Sequence, residues 1–433
     1  MRRVMSTELH GHVGETVQLA GWIHRRRVLK SVAFLILRDR TGLAQVVVGE
    51  PAARAELEKL PEETVVSVTG RVVANADAPG GVELAEPSWE LLSEPAEPLP
   101  FEVYRPELRA SLPTLLDNAP MGLRHPRMRA PFEIAAAAVA GFRATLDGHG
   151  FTEIHTPKLV GSATESGATV FGVDYFGRRA YLAQSPQFYK QMMVGVFERV
   201  YEVGPVFRAE PHDTARHLAE YTSLDVEFGF VTDHRDVMAM IREVFAGMLA
   251  AVVDRAGAVV ELAGLTMPEV PAEIPVVHFT EALALIGAAT GEDLSGEQDL
   301  APAHERWLSD WAVREHGSEW LFVEGYPTAK RAFYTHPDPT RPGYSRGFDL
   351  LFRGLELISG AQRMHHYADY VAAITARGDS LAPYESYLRV FRHGMPPHGG
   401  FAIGLERFLA RLTGASNVRE VTLFPRDLHR LSP

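Results

Sequence analysis

The chain has 433 residues, enough for two or three domains with substantial cores. A hydrophobic fraction of 46% and a charged fraction of 23% are those of a soluble globular protein, and the absence of cysteine excludes disulfides and thiolate metal ligands. The formal net charge of −12 excludes a global basic footprint for nucleic acid, so contacts with phosphate must come from local patches.

Residues 1–95 hold short strand-like runs between turns, among them VQLAGWIH, VAFLILRD, LAQVVVG, TVVSVTGRVV and GVELA, and such spacing predicts a small barrel. Between Gly21 and Arg40 there are six Lys or Arg and one Asp, with Phe34 among them. That combination offers phosphate pairing beside a stacking platform for single-stranded bases, although an isolated barrel could equally carry it as a solvated basic face. Residues 96–130 are dense in proline and read as a hinge or linker. A helix is predicted from Pro131 to about His149, where Gly-His-Gly supplies a C-cap, and its alanine-rich face reads as packed core. GSATESGATVF (161–171) is small and polar and reads as a mobile loop.

VYEVGPVFR reads as a strand, AEPHDTAR as a loop and LAEYTSLDVEFGF as a returning strand, in which Leu224, Val226 and Phe228 alternate with Ser223, Asp225 and Glu227. Arg208, Glu210, Arg216, Asp225 and Glu227 therefore share one hairpin. A charged face on a buried sheet is costly unless ligands pair with it, which suggests a ligand that is both anionic and amine-bearing, as a nucleotide is. Residues 233–320 show long helical periodicities and carry no assigned chemistry. SRGFDLLFRGLELISGAQRMHHY (345–367) alternates as strands do, and GGFAIGLERFLARL (399–412) places glycines where a backbone approaches a ligand closely. Lysine occurs only at Lys30, Lys59, Lys158, Lys190 and Lys330, so each invites inspection.

FRAE followed by a loop ending in Arg216-His217 resembles motif 2 of the class II aminoacyl-tRNA synthetases, and GPVFRAE…RHLAEYTSLD is similar to the aspartyl version. GFTEIHTPKLV (150–160) resembles motif 1 with its proline at Pro157, and 399–412 resembles motif 3 with its arginine at Arg407. Three ordered motifs, with QSPQFYKQ and SGAQR between them, cover nearly the whole chain. The resemblance implies an α+β chain: an N-terminal OB-fold anticodon-binding barrel over 1–95, the 96–130 linker, and a class II catalytic domain over 131–433 with an antiparallel sheet flanked by helices. With no room for a large insertion between motifs 2 and 3, the chain is similar to the compact archaeal type.

By the same resemblance, aspartate would meet Glu165 in a flipping loop, Gln187, Lys190, Arg208, Asp225 and Arg363. Lys190 and Arg363 would take the side-chain carboxylate, with Asp225 balancing their charge. ATP would meet Arg208, Glu210, Arg216, His217, Tyr221, Glu356 and Arg407, and Glu356 with Ser359 would hold Mg2+. Arg27, Phe34, Gln45 and Glu83 match the anticodon contacts. His24 and Pro79 stand where the family's non-discriminating enzymes, which charge both tRNA(Asp) and tRNA(Asn), carry His and Pro. The resemblance further implies a homodimer and a downstream tRNA-dependent amidotransferase. Alternatives are a discriminating enzyme for tRNA(Asp), an asparaginyl enzyme (which Lys190 opposes), a tRNA-free asparagine synthetase relative (which the barrel opposes), and a non-catalytic RNA-binding paralogue (which Arg208, Glu356 and Arg407 oppose). No apolar run could cross a membrane and MRRVMSTELHGH lacks a signal peptide's apolar stretch, so the expected location is cytoplasmic.

Overall fold

A computed structural model describes residues 3–161, 170–211 and 213–432. The chain forms two compact units, Met1–His125 and Pro126–Pro433.

In the first unit, β1 (Thr16–Val28), β2 (Ala33–Arg38), β3 (Leu43–Val48), β4 (Val65–Ala74) and β5 (Val82–Leu91) close into a barrel in the order β1-β2-β3-β5-β4. The period-two pattern dictates this: along AFLILR, Ala33, Leu35 and Leu37 enter the interior while Phe34 and Ile36 face out. Leu19, Ile23, Val46, Val66, Val68 and Leu84 fill the rest of the barrel. The proline-rich stretch beyond it contains two short helices, Leu112–Asp117 and Ala119–Gly122; Ser111 Oγ accepts the Thr114 N–H to cap the first.

In the second unit the long helix spans Pro126–Gly148, starting before the expected Pro131. Pro131 lacks an N–H, which favours a helix start, but within the helix the loss is one backbone bond, which core packing outweighs. The short strands are β6 (Thr152–Glu153), β7 (Leu159–Val160), β8 (Gly172–Tyr175) and β9 (Arg178–Leu182). The long hairpin is β10 (Arg199–Phe207) and β11 (Glu220–Gly229). Then come β12 (Val276–His278), β13 (Trp320–Glu324), β14 (Gly347–Phe352), β15 (Leu355–Arg363) and β16 (His398–Gly404). An eight-stranded sheet runs β12-β13-β14-β15-β16-β11-β10-β6, antiparallel except for its outermost pairs β12–β13 and β10–β6, and β7-β9-β8 form a small second sheet.

One face of the large sheet (Leu224, Val226, Phe401, Ile403) packs on the helices Pro126–Gly148, His234–Ala263 and Leu405–Thr413. The alternate residues of β11 therefore point the other way. The two long helices touch at glycines. A Cβ on Gly141 would lie 2.6 Å from Gly247 O and 2.7 Å from Ala251 Cβ, and one on Gly247 would lie 1.9 Å from Thr145 Oγ1. The region 276–324 folds as β12, β13 and the helices Phe279–Thr290 and Pro302–His316 around a core that includes Val277, Leu308, Leu321 and Val323.

Gly141→Ala tests this packing. Better helix propensity would contribute about 1 kcal/mol of stabilisation, but forcing the helices apart costs about 1–3 kcal/mol. Because Gly141 faces backbone that cannot move aside, urea unfolding should show net destabilisation.

Candidate active site and nucleic-acid face

The polar face of β11 carries Ser223, Asp225 and Glu227, all buried. Opposite them, Gln187 and Lys190 stand three residues apart on the first turn of the helix Gln187–Phe197 and so share a face. Lys190 Nζ donates to Asp225 Oδ1 at 2.9 Å and to Phe401 O at 3.2 Å, and lies 3.6 Å from Glu227 Oε2. Arg363, at the end of β15, holds Glu227 through Nε at 3.0 Å and Nη2 at 3.2 Å, and Nη2 reaches Gly400 O at 3.0 Å. Ser223 Oγ donates to Asp225 Oδ2 at 2.5 Å. Lys190 and Asp225 are 1% exposed, Glu227 is not exposed at all, and Arg363 is 5% exposed.

Burial alone would raise the Glu227 carboxyl, yet Arg363 and Lys190 hold it below the usual range. Burial likewise opposes the Arg363 charge, and Glu227 overcomes it. The balance differs from the sequence expectation, in which Asp225 alone answered two cations: Glu227 supplies a second anion, so the four side chains sum to zero. Gly400 exists for this contact. A Cβ there would lie 2.2 Å from Glu227 Oε2 and 2.1 Å from Val226 O, so the motif 3 glycine makes room for strand β11 and its carboxylate, where close approach to a ligand was expected.

This cluster floors a cavity of about 550 Å³ whose lining brings together Gln187, Lys190, Arg208, Glu210, Arg216, His217, Tyr221, Glu356, Ser359, Arg363 and Arg407. Asp225 lies beneath it on Lys190, and Glu165 is outside the described residues. Gln187 Nε2 is buried without a hydrogen-bond partner at this wall, which suits a ligand oxygen. At the other end, Glu406 accepts the Thr222 N–H at 3.0 and 3.1 Å, tying the start of the helix Leu405–Thr413 to β11 beside Tyr221; burial raises its carboxyl.

Glu356 and Ser359 are three apart on β15, a spacing that in a regular strand puts them on opposite faces. The register with β14 shifts between Leu350 and Leu351, leaving Leu357 as the extra residue of a bulge, and both side chains line the cavity. Burial first, then the charge of Asp349, pushes the Glu356 carboxyl up to about 8, with Arg407 and Arg331 pulling the other way. Sequence reasoning missed two neighbours here. Arg331 forks onto Asp349 at 3.0 and 2.7 Å and donates to Ser359 Oγ at 2.8 Å, and Glu305 accepts the Glu356 N–H at 3.1 Å while lying 3.8 Å from Arg216. Among the described residues no three His, Cys, Asp or Glu side chains gather as a metal cage.

On the barrel, cross-strand pairing aligns Arg27 with Phe34, Ile36 with Gln45, and Gln45 with Glu83, placing the expected anticodon set on one outer face of β1, β2, β3 and β5. Glu83 Oε2 accepts from Gln45 and from Asn75, both at 2.8 Å, and Asn75 N bonds Gly81 O, which connects the exposed Pro79 turn to the row. His24 Nδ1 is 3.1 Å from Arg38 Nη1, and Arg38 forks onto Glu63 at 2.8 and 2.7 Å. Burial, then Arg38, lower the His24 pKa to about 4, so near neutral pH it is a neutral imidazole.

A second neutral histidine lies behind Lys190. His398 Nδ1 bonds Pro396 O at 2.9 Å and its Nε2 lies 3.0 Å from Gln191 Nε2, within a buried network including Tyr370 and Tyr387. Burial lowers its pKa to about 4. A folded value below the unfolded 6.5 means that stability is lost as pH falls from 6.5 towards 4, since the unfolded chain binds the proton first. Between pH 7 and pH 5 this one group should remove about 2 kcal/mol. Urea unfolding of His398→Asn should show a correspondingly shallower pH dependence; an unchanged slope would contradict the neutral assignment.

Comparison with known proteins agrees with this geometry. Residues 111–428 match the family "tRNA synthetases class II (D, K and N)", and residues 17–92 match "OB-fold nucleic acid binding domain". The chain is 48% identical over 432 residues to the aspartate–tRNA(Asp/Asn) ligase of Thermus thermophilus, covering 100% of both, and 46% identical to that of Deinococcus radiodurans, covering 100% of this chain and 99% of the other. It is also similar to the crystal structure of asparaginyl-tRNA synthetase from Pyrococcus horikoshii complexed with asparaginyl-adenylate, with a TM-score of 0.91 and 31% identity over 100% of both chains. With Arg208, Glu356 and Arg407 brought into one cavity above a buried charge cluster, the chain belongs to the class II tRNA synthetases of the D, K and N group.

Proposed function

We propose that the protein joins L-aspartate to tRNA through aspartyl-adenylate and charges both tRNA(Asp) and tRNA(Asn). The observation that carries the choice of amino acid is Lys190 with Arg363 at the cavity floor, each already oriented by its own carboxylate. A side-chain carboxylate entering there meets fixed donors, and the buried Gln187 Nε2 adds another. An amide would bring an NH2 group against ammonium and guanidinium, which have no acceptor to offer it. The names of the relatives, aspartate–tRNA(Asp/Asn) ligase, point the same way.

In this reading Arg208 holds the ATP α-phosphate, Glu210 accepts from the adenine amino group, Arg216 and His217 take the outer phosphates, and adenine lies between Tyr221 and Arg407. Glu165 would close over the aspartate ammonium group. The aspartate α-carboxylate attacks the α-phosphorus in line, the bond to the β-phosphate oxygen breaks, and pyrophosphate leaves. The terminal 3′-hydroxyl of tRNA then attacks the adenylate carbonyl and AMP departs. Positioning and charge neutralisation supply the catalysis, without a protein nucleophile. Glu356 and Ser359 fit Mg2+: both are hard oxygen donors on the cavity wall, and a carboxyl raised to about 8 ionises readily when a cation arrives. Glu356 and Ser359 would hold the ion, whose charge would help neutralise the phosphates.

The barrel face would take the anticodon. His24, neutral and held by Arg38, and Pro79, in a turn without a cation, make few demands on the one base that separates the two anticodons. The motif 1 helix and the segment around Pro157, between β6 and β7, would form a homodimer interface, and Asp-tRNA(Asn) would pass to a tRNA-dependent amidotransferase.

Aspartate charging of purified tRNA(Asp) and tRNA(Asn) tests this reading. The native protein should charge both, and His24→Trp with Pro79→Lys should lower tRNA(Asn) charging about tenfold or more against tRNA(Asp), an energy of about 1.4 kcal/mol. Charging of tRNA(Asp) alone by the native protein would remove the dual specificity and leave the ligase.

A further inference from the structure

The loop between β10 and β11 carries Arg216 and His217, and within it Thr214 Oγ1 lies 2.6 Å from His217 Nδ1 and 3.4 Å from Arg216 N, while His217 N donates to Thr214 O at 3.4 Å. Besides the approach of Arg216 to Glu305, it is tied to a segment some two hundred residues away. Val418 N donates to Ala215 O at 2.8 Å, and Ala219 N donates to Arg426 O at 2.8 Å. Between these stands Arg419, 8% exposed. Its Nη1 donates to Thr214 O at 3.1 Å, its Nη2 to Asp213 at 3.2 Å and its Nε to Asp427 Oδ2 at 2.6 Å. Asp427 in turn accepts the N–H groups of His429 and Arg430 on its other oxygen, both at 2.8 Å. Burial would raise the Asp427 carboxyl, but Arg419 and these N–H groups keep it below the usual range. One guanidinium thus joins the adjacent loop residues Asp213 and Thr214 to Asp427 in the 424–430 segment.

We infer that Arg419, fixed by Asp427, is a positioning residue that holds the 213–217 turn in the shape that presents Arg216 and His217 to the outer phosphates of ATP. This rests on the proposed role of those two residues. A planar fork suits the task because it makes three directed bonds from one rigid group, which a lysine cannot reproduce. Its loss would leave the aspartate floor untouched, since Lys190, Arg363, Asp225 and Glu227 belong to other contacts. The clamp therefore acts on nucleotide and spares amino acid.

The test compares the native protein with Arg419→Gln, Arg419→Lys and Asp427→Asn, using ATP itself as titrant in calorimetry and aspartate-dependent ATP–pyrophosphate exchange as the rate assay. The expected result is an ATP Kd and KM raised about tenfold in Arg419→Gln, less in Asp427→Asn and Arg419→Lys, with the aspartate KM within about twofold of native. Non-additivity of Arg419→Gln with Asp427→Asn should mark them as one unit. An unchanged ATP Kd in a folded variant would overturn the inference, as would equal loss for ATP and aspartate or a lowered Tm with intact kinetics. If Arg419→Gln does not fold, Asp427→Asn decides by the same criteria. Should the native protein bind ATP but catalyse no exchange with aspartate, the proposed reaction fails while the calorimetric comparison still judges the clamp.

Discussion

Four charges buried against one another (Lys190, Arg363, Asp225 and Glu227) are the constraint on which the rest of the second unit depends. Removing one member of such a set leaves an uncompensated charge at a cost of about 3–5 kcal/mol, a large part of the stability of an ordinary domain. The partners come from three elements, Lys190 from a helix, Asp225 and Glu227 from β11 and Arg363 from β15, with β16 between the two strands. The strand order β15-β16-β11 is what lets Arg363 reach Glu227 across a strand whose residue at the crossing is Gly400, which has no side chain to obstruct it. A cluster that is neutral in sum and rigid in geometry can present fixed donors to an incoming carboxylate without accumulating uncancelled positive charge in the empty pocket.

The half of the cavity around Glu356 and Ser359 is built differently. There the sheet departs from regularity, and the bulge at Leu357 turns Glu356 and Ser359 to one side. Arg331 forks onto Asp349 there, and Arg216 lies 3.8 Å from Glu305. The raised Glu356 carboxyl belongs to this half, whereas Glu227, equally buried, is held ionised by direct ion pairs. Burial is common to both carboxyls; the placement of cations separates them.

Much of this was legible in the sequence, and the limits have physical causes. Alternation revealed the barrel strands and the polar face of β11, because period two is imposed by the pleat. The motifs located the cavity lining. Glu227 was visible as a member of the charged face, but its pairing with Arg363 spans 136 residues and follows from strand order, which local pattern does not encode. Arg331, Glu305 and Arg419 were missed for the same reason: each reaches the site from a segment with no periodic signal of its own function. The bulge was invisible because one extra residue changes facing without changing composition. The motif 3 glycines drew attention through their type, and the structure assigns Gly400 a different neighbour from the ligand it suggested.

The most direct measurement is ATP–pyrophosphate exchange by the native protein with aspartate and with asparagine, each titrated at saturating ATP. A floor of fixed cations predicts efficient exchange with aspartate and a kcat/KM for asparagine lower by about a thousandfold or more, the scale on which unmatched buried polar groups discriminate. Comparable exchange with asparagine would contradict the assignment of Lys190 and Arg363 as the carboxylate site.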